Sequence, residues 1–74
     1  IFNTRALVEH DSTIDDNCHI STGAILNGNV KVEKDTFIGS GAKIMNGINI
    51  GKNSIIGMGL SVRHDQKDNS KFTG

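Results

Sequence analysis

A histidine between two carboxylates is the strongest chemical signal in this chain. Glu9-His10-Asp11 places an imidazole beside an acidic side chain on each side. Carboxylates stabilise the imidazolium that forms when histidine accepts a proton, so this combination suits a general base. The alternative is a solvated surface histidine in a charged turn, and residue types alone favour that alternative.

The other two histidines carry weaker signals. His19 lies nine residues after His10 and is interpreted either as a surface or interface residue or as a second member of the same site. His64 lies in a polar stretch, and we assign it no role. We expect no metal site, because zinc needs three or four ligands that converge on one point.

Thiol and phosphate chemistry are also not favoured. The single Cys18 cannot form an intrachain disulfide and fits a reducing, cytoplasmic compartment. It falls at an inward position of the repeat described next, so we do not expect a covalent acyl-cysteine. Gly39-Ser40-Gly41 and Gly57-Met58-Gly59 recur 18 residues apart without a following helix, which excludes a phosphate-binding loop of the usual kind.

These residues are set in a repeat of six. One apolar residue recurs at every sixth position, and the residues two positions before each of them are uncharged. The register comprises Phe2, Val8, Ile14, Ile20, Leu26, Val32, Ile38, Ile44, Ile50, Ile56 and Val62. A period of six belongs to neither a helix nor an isolated strand. It is typical of a parallel β-helix in which each hexad forms one short strand and one corner.

The repeat predicts an all-β fold, a left-handed parallel β-helix of about four coils. Three hexads make one triangular coil, so residues 18 apart should stack at the strand spacing of about 4.8 Å. His10 then falls at an outward-facing corner, and His19 lies half a coil away on another side. Parallel crossovers are usually right-handed, so we choose the left hand from the strict hexad and its similarity to known hexapeptide-repeat proteins.

Length and composition set the remaining limits. We assign residues 1–67 to the β-helix and 68–74 to a polar C-terminal tail, because the pattern fades after Val62. Eight basic and eight acidic residues balance, so nothing favours nucleic acid or an anionic membrane as partner. No apolar run approaches the roughly 20 residues of a membrane span. The chain begins at Ile1 already in register, and we expect it to be a piece of a longer protein.

The sequence around His10 resembles a family of acyltransferases. The segments concerned are Asn-Thr-Arg-Ala-Leu-Val-Glu-His-Asp at residues 3–11, His19, Gly23-Ala24 and Asn27-Gly28. They are similar to the sialic-acid O-acetyltransferase and bacillosamine-type amino-sugar N-acetyltransferase group of hexapeptide-repeat enzymes. The similarity covers about residues 1–62. The hexads are specific to the fold alone, whereas the Glu-His-Asp string followed by a second histidine is more specific.

The resemblance implies a homotrimer that binds acetyl-CoA in the groove between adjacent β-helices. It implies His10 as the base that takes a proton from an amine or hydroxyl of a sugar, with Asp11 as its acidic neighbour. It places His19 near the thioester of acetyl-CoA, and backbone contacts to the cofactor at Ser40 and Met58. Family members carry an N-terminal nucleotide-sugar-binding domain that this sequence does not include, so substrate identity is expected to lie largely outside it.

Three rival functions stay open at this point. The first is a non-catalytic β-helix that only trimerises, which acetyl-CoA binding would separate from the enzyme. The second is a metal hydratase of the same fold, which bound zinc would reveal. The third is an enzyme that uses another acyl-CoA, such as a succinyl donor, because the shape of the groove decides the acyl group.

Overall fold

A computed structural model describes residues 6–73, and this part of the chain contains eleven two-residue strands and no helix. The strands are β1 (Leu7–Val8), β2 (Thr13–Ile14), β3 (His19–Ile20), β4 (Ile25–Leu26), β5 (Lys31–Val32), β6 (Phe37–Ile38), β7 (Lys43–Ile44), β8 (Asn49–Ile50), β9 (Ile55–Ile56), β10 (Ser61–Val62) and β11 (Lys71–Phe72). Residues 6–73 therefore provide no helix that could cross a membrane.

Every third strand joins the same parallel sheet, which gives the column three faces. The first face is β1-β4-β7-β10, the second is β2-β5-β8 and the third is β3-β6-β9-β11. Leu26 pairs with Ile44, and Ile44 pairs with Val62, so partners lie 18 residues apart as the hexad predicts. The coil of three hexads is therefore confirmed from β1 to β10.

The core is a thin column filled by the apolar residues of the register. Ile20, Ile38 and Ile56 stack under the third face, and each is fully buried. The first and second faces contribute equivalent ladders: Val8, Leu26, Ile44 and Val62 from one, and Ile14, Val32 and Ile50 from the other. The predicted inward register is confirmed for these residues. Phe2, its first expected member, lies outside the described residues.

The corners depend on a left-handed backbone at one position each. That position has φ between 57° and 77° in ten corners, and it always holds Asn, Asp or Gly. The residues are Asp11, Asn17, Gly23, Asn29, Asp35, Gly41, Gly47, Asn53, Gly59 and Asn69. These residue types adopt positive φ at little cost. Three corner columns result: a first corner at 10–11, 28–29 and 46–47, a second at 16–17, 34–35 and 52–53, and a third at 22–23, 40–41 and 58–59.

A polar ladder runs inside the column next to the second corner. The buried Thr36 hydroxyl donates to the carbonyl of Gly51 (3.0 Å) and accepts the N–H of Ser54 (3.3 Å). Ser54 repeats this arrangement one coil along, with the carbonyl of Lys67 (3.1 Å) and the N–H of Ser70 (3.2 Å). Each hydroxyl satisfies two backbone groups, and those bonded by Thr36 are buried.

Thr36→Val should destabilise the column although it preserves side-chain volume. The carbonyl of Gly51 and the N–H of Ser54 would lose their partner, and a buried unsatisfied group costs about 1–3 kcal/mol. Thr36→Ser is the matched control, because it keeps the hydroxyl and loses only a methyl group. Urea unfolding should rank the valine variant below the serine variant. A valine variant as stable as the parent would contradict the ladder's contribution.

The last coil is two residues shorter than the others. Gln66 bridges to Ile50, and Phe72 of β11 pairs with Ile56 of β9, so partners here lie 16 residues apart. The shortening falls at the first corner after β10. There the carboxylate of Asp65 accepts the N–H of Asn49 (2.8 Å), a bond that a backbone carbonyl accepts in the earlier coils.

The C-terminal end thus differs from the sequence-based expectation. We expected the β-helix to end at residue 67 and residues 68–74 to form a polar tail. Instead, strand pairing continues to Phe72, whose side chain is half-buried against the core. Because this coil has two residues fewer at one corner, its inward residues fall outside the six-residue register. A strict count of six therefore does not find the final coil. Gly74 lies outside the described residues.

Candidate functional site

His10 lies at the first corner, two residues after the end of β1. Its side chain is exposed to solvent, and its backbone carbonyl accepts the N–H of Asn29 in the next coil (3.2 Å). The imidazole lies over Gly28. A methyl group on Gly28 would be 3.3 Å from both Cε1 and Nε2 of the ring. The ring is therefore accessible on one side and held against the backbone of the next coil on the other.

Asp11 follows His10 as the left-handed residue of the same corner. Its φ of 59° is one that Asp, Asn and Gly adopt readily, so the turn alone accounts for an aspartate here. Within residues 6–73, no hydrogen bond joins the side chains of Asp11 and His10. The expected electrostatic support of His10 by Asp11 therefore stays a prediction.

His19 lies on the outside of the third face, as its position before the core residue Ile20 predicts. Its half-buried ring stacks on Phe37, with centroids 5.1 Å apart and planes at 16°. Ile55 continues the row, and Phe37 and Ile55 remain 43% and 42% exposed. His19 is thus part of an aromatic and aliphatic strip on the third face, away from the corner that holds His10.

Ser40 and Met58 occupy equivalent exposed positions at the third corner. The carbonyl of Ser40 accepts the N–H of Gly59 (2.8 Å), which ties the two corners together. The backbone N–H groups of Ser40 and Met58 donate to no acceptor in the described part of the chain. Two such donors one coil apart suit an extended ligand that lies along the corners.

One chain does not bring these predicted residues into a single cluster. His10 is at the first corner, Ser40 and Met58 are at the third, and the first face separates them. His19 is on the third face, next to the third corner. Residues 6–73 of one chain form no pocket around any of them. A ligand that contacts both corners must therefore lie across the first face or between two chains.

Metal and thiol chemistry gain nothing from the geometry. No three His, Cys, Asp or Glu side chains among the described residues are arranged to hold a metal ion. Cys18 is 4% exposed, and its thiol donates to the carbonyl of Glu33 (3.0 Å). Its predicted inward position is confirmed, and burial keeps its sulfur from an acyl donor in solution.

The central coils match a known repeat. Residues 29–63, just under half of the chain, match the family model described as the hexapeptide repeat of succinyl-transferase. The fold is a left-handed hexapeptide-repeat β-helix. Comparison of this hexapeptide β-helix with curated proteins found none that matches it.

The match supports an acyltransferase in general terms, because this repeat is typical of such enzymes. It includes the corners that hold Ser40 and Met58, and it excludes His10, Asp11 and His19. The matched part of the hexapeptide β-helix thus contains the third-corner positions of Ser40 and Met58 together with corners of the other two columns. The resemblance to amino-sugar and sialic-acid acetyltransferases is carried by residues before the match and stays a proposal.

Sequence reasoning missed the role of Gly28 in the hexapeptide β-helix. The spacing of 18 predicts that residue 28 stacks on residue 10, but it does not predict that the imidazole of His10 contacts Gly28. One signal was available in the sequence: this is the only glycine among the residues that begin the regular corners.

Proposed function

We propose that this β-helix transfers an acetyl group from acetyl-CoA to an amine or hydroxyl of a sugar, with a nucleotide-linked sugar as acceptor. The observation that carries the proposal is the exposed imidazole of His10, which lies against Gly28 at a corner of the hexapeptide-repeat β-helix. A general base must be both accessible to the acceptor and fixed in place, and the exposure of this ring and its contact with Gly28 support the assignment.

In the proposed reaction, the acceptor attacks the thioester directly. The nitrogen or oxygen of the sugar forms a bond to the acetyl carbonyl carbon while His10 takes its proton. The tetrahedral intermediate then breaks its carbon–sulfur bond, and the imidazolium returns the proton to the leaving thiolate. Asp11 offsets the imidazolium charge, and backbone N–H groups or His19 stabilise the oxyanion.

The proposed site lies between chains of a homotrimer. Two observations support a second chain as the part that completes the binding groove. His10 and the pair Ser40 and Met58 lie in different corner columns of one chain, and a groove between two chains would bring one column from each together. Apolar side chains remain exposed on the outer faces, including Leu7 at 48% and Phe37 at 43%. A packed partner would cover such residues.

Acetyl-CoA should bind at three sites per trimer, and Ser40→Pro should weaken that binding. Proline removes the N–H of residue 40, which makes no bond within the described part of the chain, and it is tolerated at this position of turns. The loss of one hydrogen bond worth about 0.5–1.5 kcal/mol corresponds to roughly 2- to 12-fold in Kd. Calorimetry, with light scattering on the same sample, measures both quantities.

Ser40→Ala is the matched control, since it keeps the N–H and should bind acetyl-CoA like the parent. Equal weakening in both variants would assign the contact to the hydroxyl instead. A trimer that ignores acetyl-CoA would favour the non-catalytic module. A monomer would contradict the site between chains.

A succinyl donor is the second candidate, because the matching repeat is described from a succinyl-transferase. Succinyl-CoA differs from acetyl-CoA by an added methylene and a carboxylate at the far end of the acyl group. Competition between the two thioesters for the same sites, followed by transfer assays with each, decides between them.

A further inference from the structure

The backbone of the β-helix does not require glycine at position 28. Ten equivalent residues begin the corners: His10, Asp16, Thr22, Gly28, Lys34, Ser40, Asn46, Lys52, Met58 and Asp68. Nine of them carry side chains, and none of the ten has a positive φ. An alanine at position 28 would thus adopt the same backbone without strain, and the fold alone does not account for the glycine.

Gly28 differs from the other nine residues in its surroundings as well. It is buried, whereas the nine equivalent residues are exposed. Its contact is the imidazole of His10, which lies 3.3 Å from where a Cβ would be, at both Cε1 and Nε2. This separation is closer than an ordinary van der Waals contact, so a side chain at position 28 would displace the ring by a few tenths of an ångström.

We infer that Gly28 is a positioning residue: because it has no side chain, the His10 imidazole can lie directly against it. This inference rests on the proposed function, in which Nε2 or Nδ1 of His10 takes the acceptor's proton. Proton transfer requires the base within hydrogen-bond reach of the acceptor, and a misplaced group loses rate steeply. A larger residue at position 28 displaces the His10 ring without touching either substrate.

The contact between residue 28 and the His10 ring is tested first, without any substrate. In protein labelled at the histidine rings, Gly28→Ala should shift the Cε1–Hε1 signal of His10 and leave those of His19 and His64 in place. Gly57→Ala is the matched control. It adds the same methyl group 3.1 Å from Cδ1 of Leu60, away from His10, and should leave all three histidine signals unchanged. An unmoved His10 signal in Gly28→Ala would overturn the inference.

The consequence for the reaction is tested by kinetics. Gly28→Ala should lower kcat by roughly 3- to 10-fold, less than the ~10²-fold that a 1 Å misplacement can cost. KM for acetyl-CoA should stay unchanged, because the scaffold of the third corner is intact. Gly28→Val should lower kcat further. In a His10→Ala background, Gly28→Ala should have no additional effect on kcat, because it acts through the ring.

The outcomes separate this inference from the function on which it rests. In one outcome the parent transfers no acyl group, but Gly28→Ala still shifts the Cε1–Hε1 signal of His10. This outcome would refute the proposed function and the positioning role, and would leave only the packing of the His10 ring on Gly28. An active parent with an equally active Gly28→Ala variant would overturn the positioning role alone. A rate loss that persists in the His10→Ala background would assign it to general disruption of the corner.

Discussion

Replacing His10 with alanine is expected to lower acetyl transfer by roughly 10²- to 10⁴-fold in kcat, the usual contribution of a general base. The side chain is exposed and makes no hydrogen bond within the described residues, so its loss should leave the coil folded. Circular dichroism and light scattering check the fold, and a thiol-release assay with acetyl-CoA and a panel of amino sugars measures the rate.

His64→Ala is the matched control, since it removes an exposed histidine from the C-terminal coil and should keep the parental rate. Free imidazole in the assay should restore part of the activity to the His10→Ala variant, because it can enter the space that the ring vacates. Turnover within a few-fold of the parent would show that His10 is not the base.

Asp11 needs a different substitution, because it has two separable roles. Asp11→Asn keeps a residue that tolerates φ near 59° and removes the charge. Reduced kcat with unchanged stability would support electrostatic assistance to His10. Parental kcat would leave Asp11 with its role in the turn alone.

Ile44→Ala is expected to cost about 2–5 kcal/mol of unfolding free energy, the range for a large buried aliphatic residue. Ile44 is fully buried and stacks between Leu26 and Val62, so the cavity would interrupt the ladder in the middle of the column. Small domains have total stabilities of about 5–15 kcal/mol, and a loss of this size removes a large share. Urea unfolding followed by circular dichroism measures it.

Lys43→Ala is the control from the same strand. Lys43 points outward from β7 and is exposed, so its loss should change stability by no more than about 0.5 kcal/mol. All variants must be compared at one protein concentration, because the stability of an oligomer depends on it. Similar costs for both substitutions would contradict the inward and outward assignment of β7.

The sequence predicted the regular part of the fold because the repeat is strictly local. A hexad needs only one inward aliphatic residue and a corner residue that accepts positive φ, and both can be counted along the chain. Ile20, Ile38 and Ile56 were placed correctly for this reason. The outward position of His10 followed from the same count.

The final coil was missed because counting fails where two residues are lost. A signal was nevertheless present: Asn53-Ser54 and Asn69-Ser70 recur 16 residues apart, and an apolar residue follows each pair two positions later. A corner can shorten since it lies at the surface, where Asp65 supplies the missing acceptor to Asn49. Strand pairing depends on stacking, not on a constant number of residues.

The sequence by itself determined the coil and its inward register, and the Glu-His-Asp string marks His10 as the candidate base of the proposal. The tertiary structure decided what surrounds that histidine, because it shows the His10 ring resting on Gly28. The physical reason is that the repeat length alone sets which residues stack on one another and which side chains point inward. The conformation of the His10 side chain depends on packing between coils, which no single hexad contains.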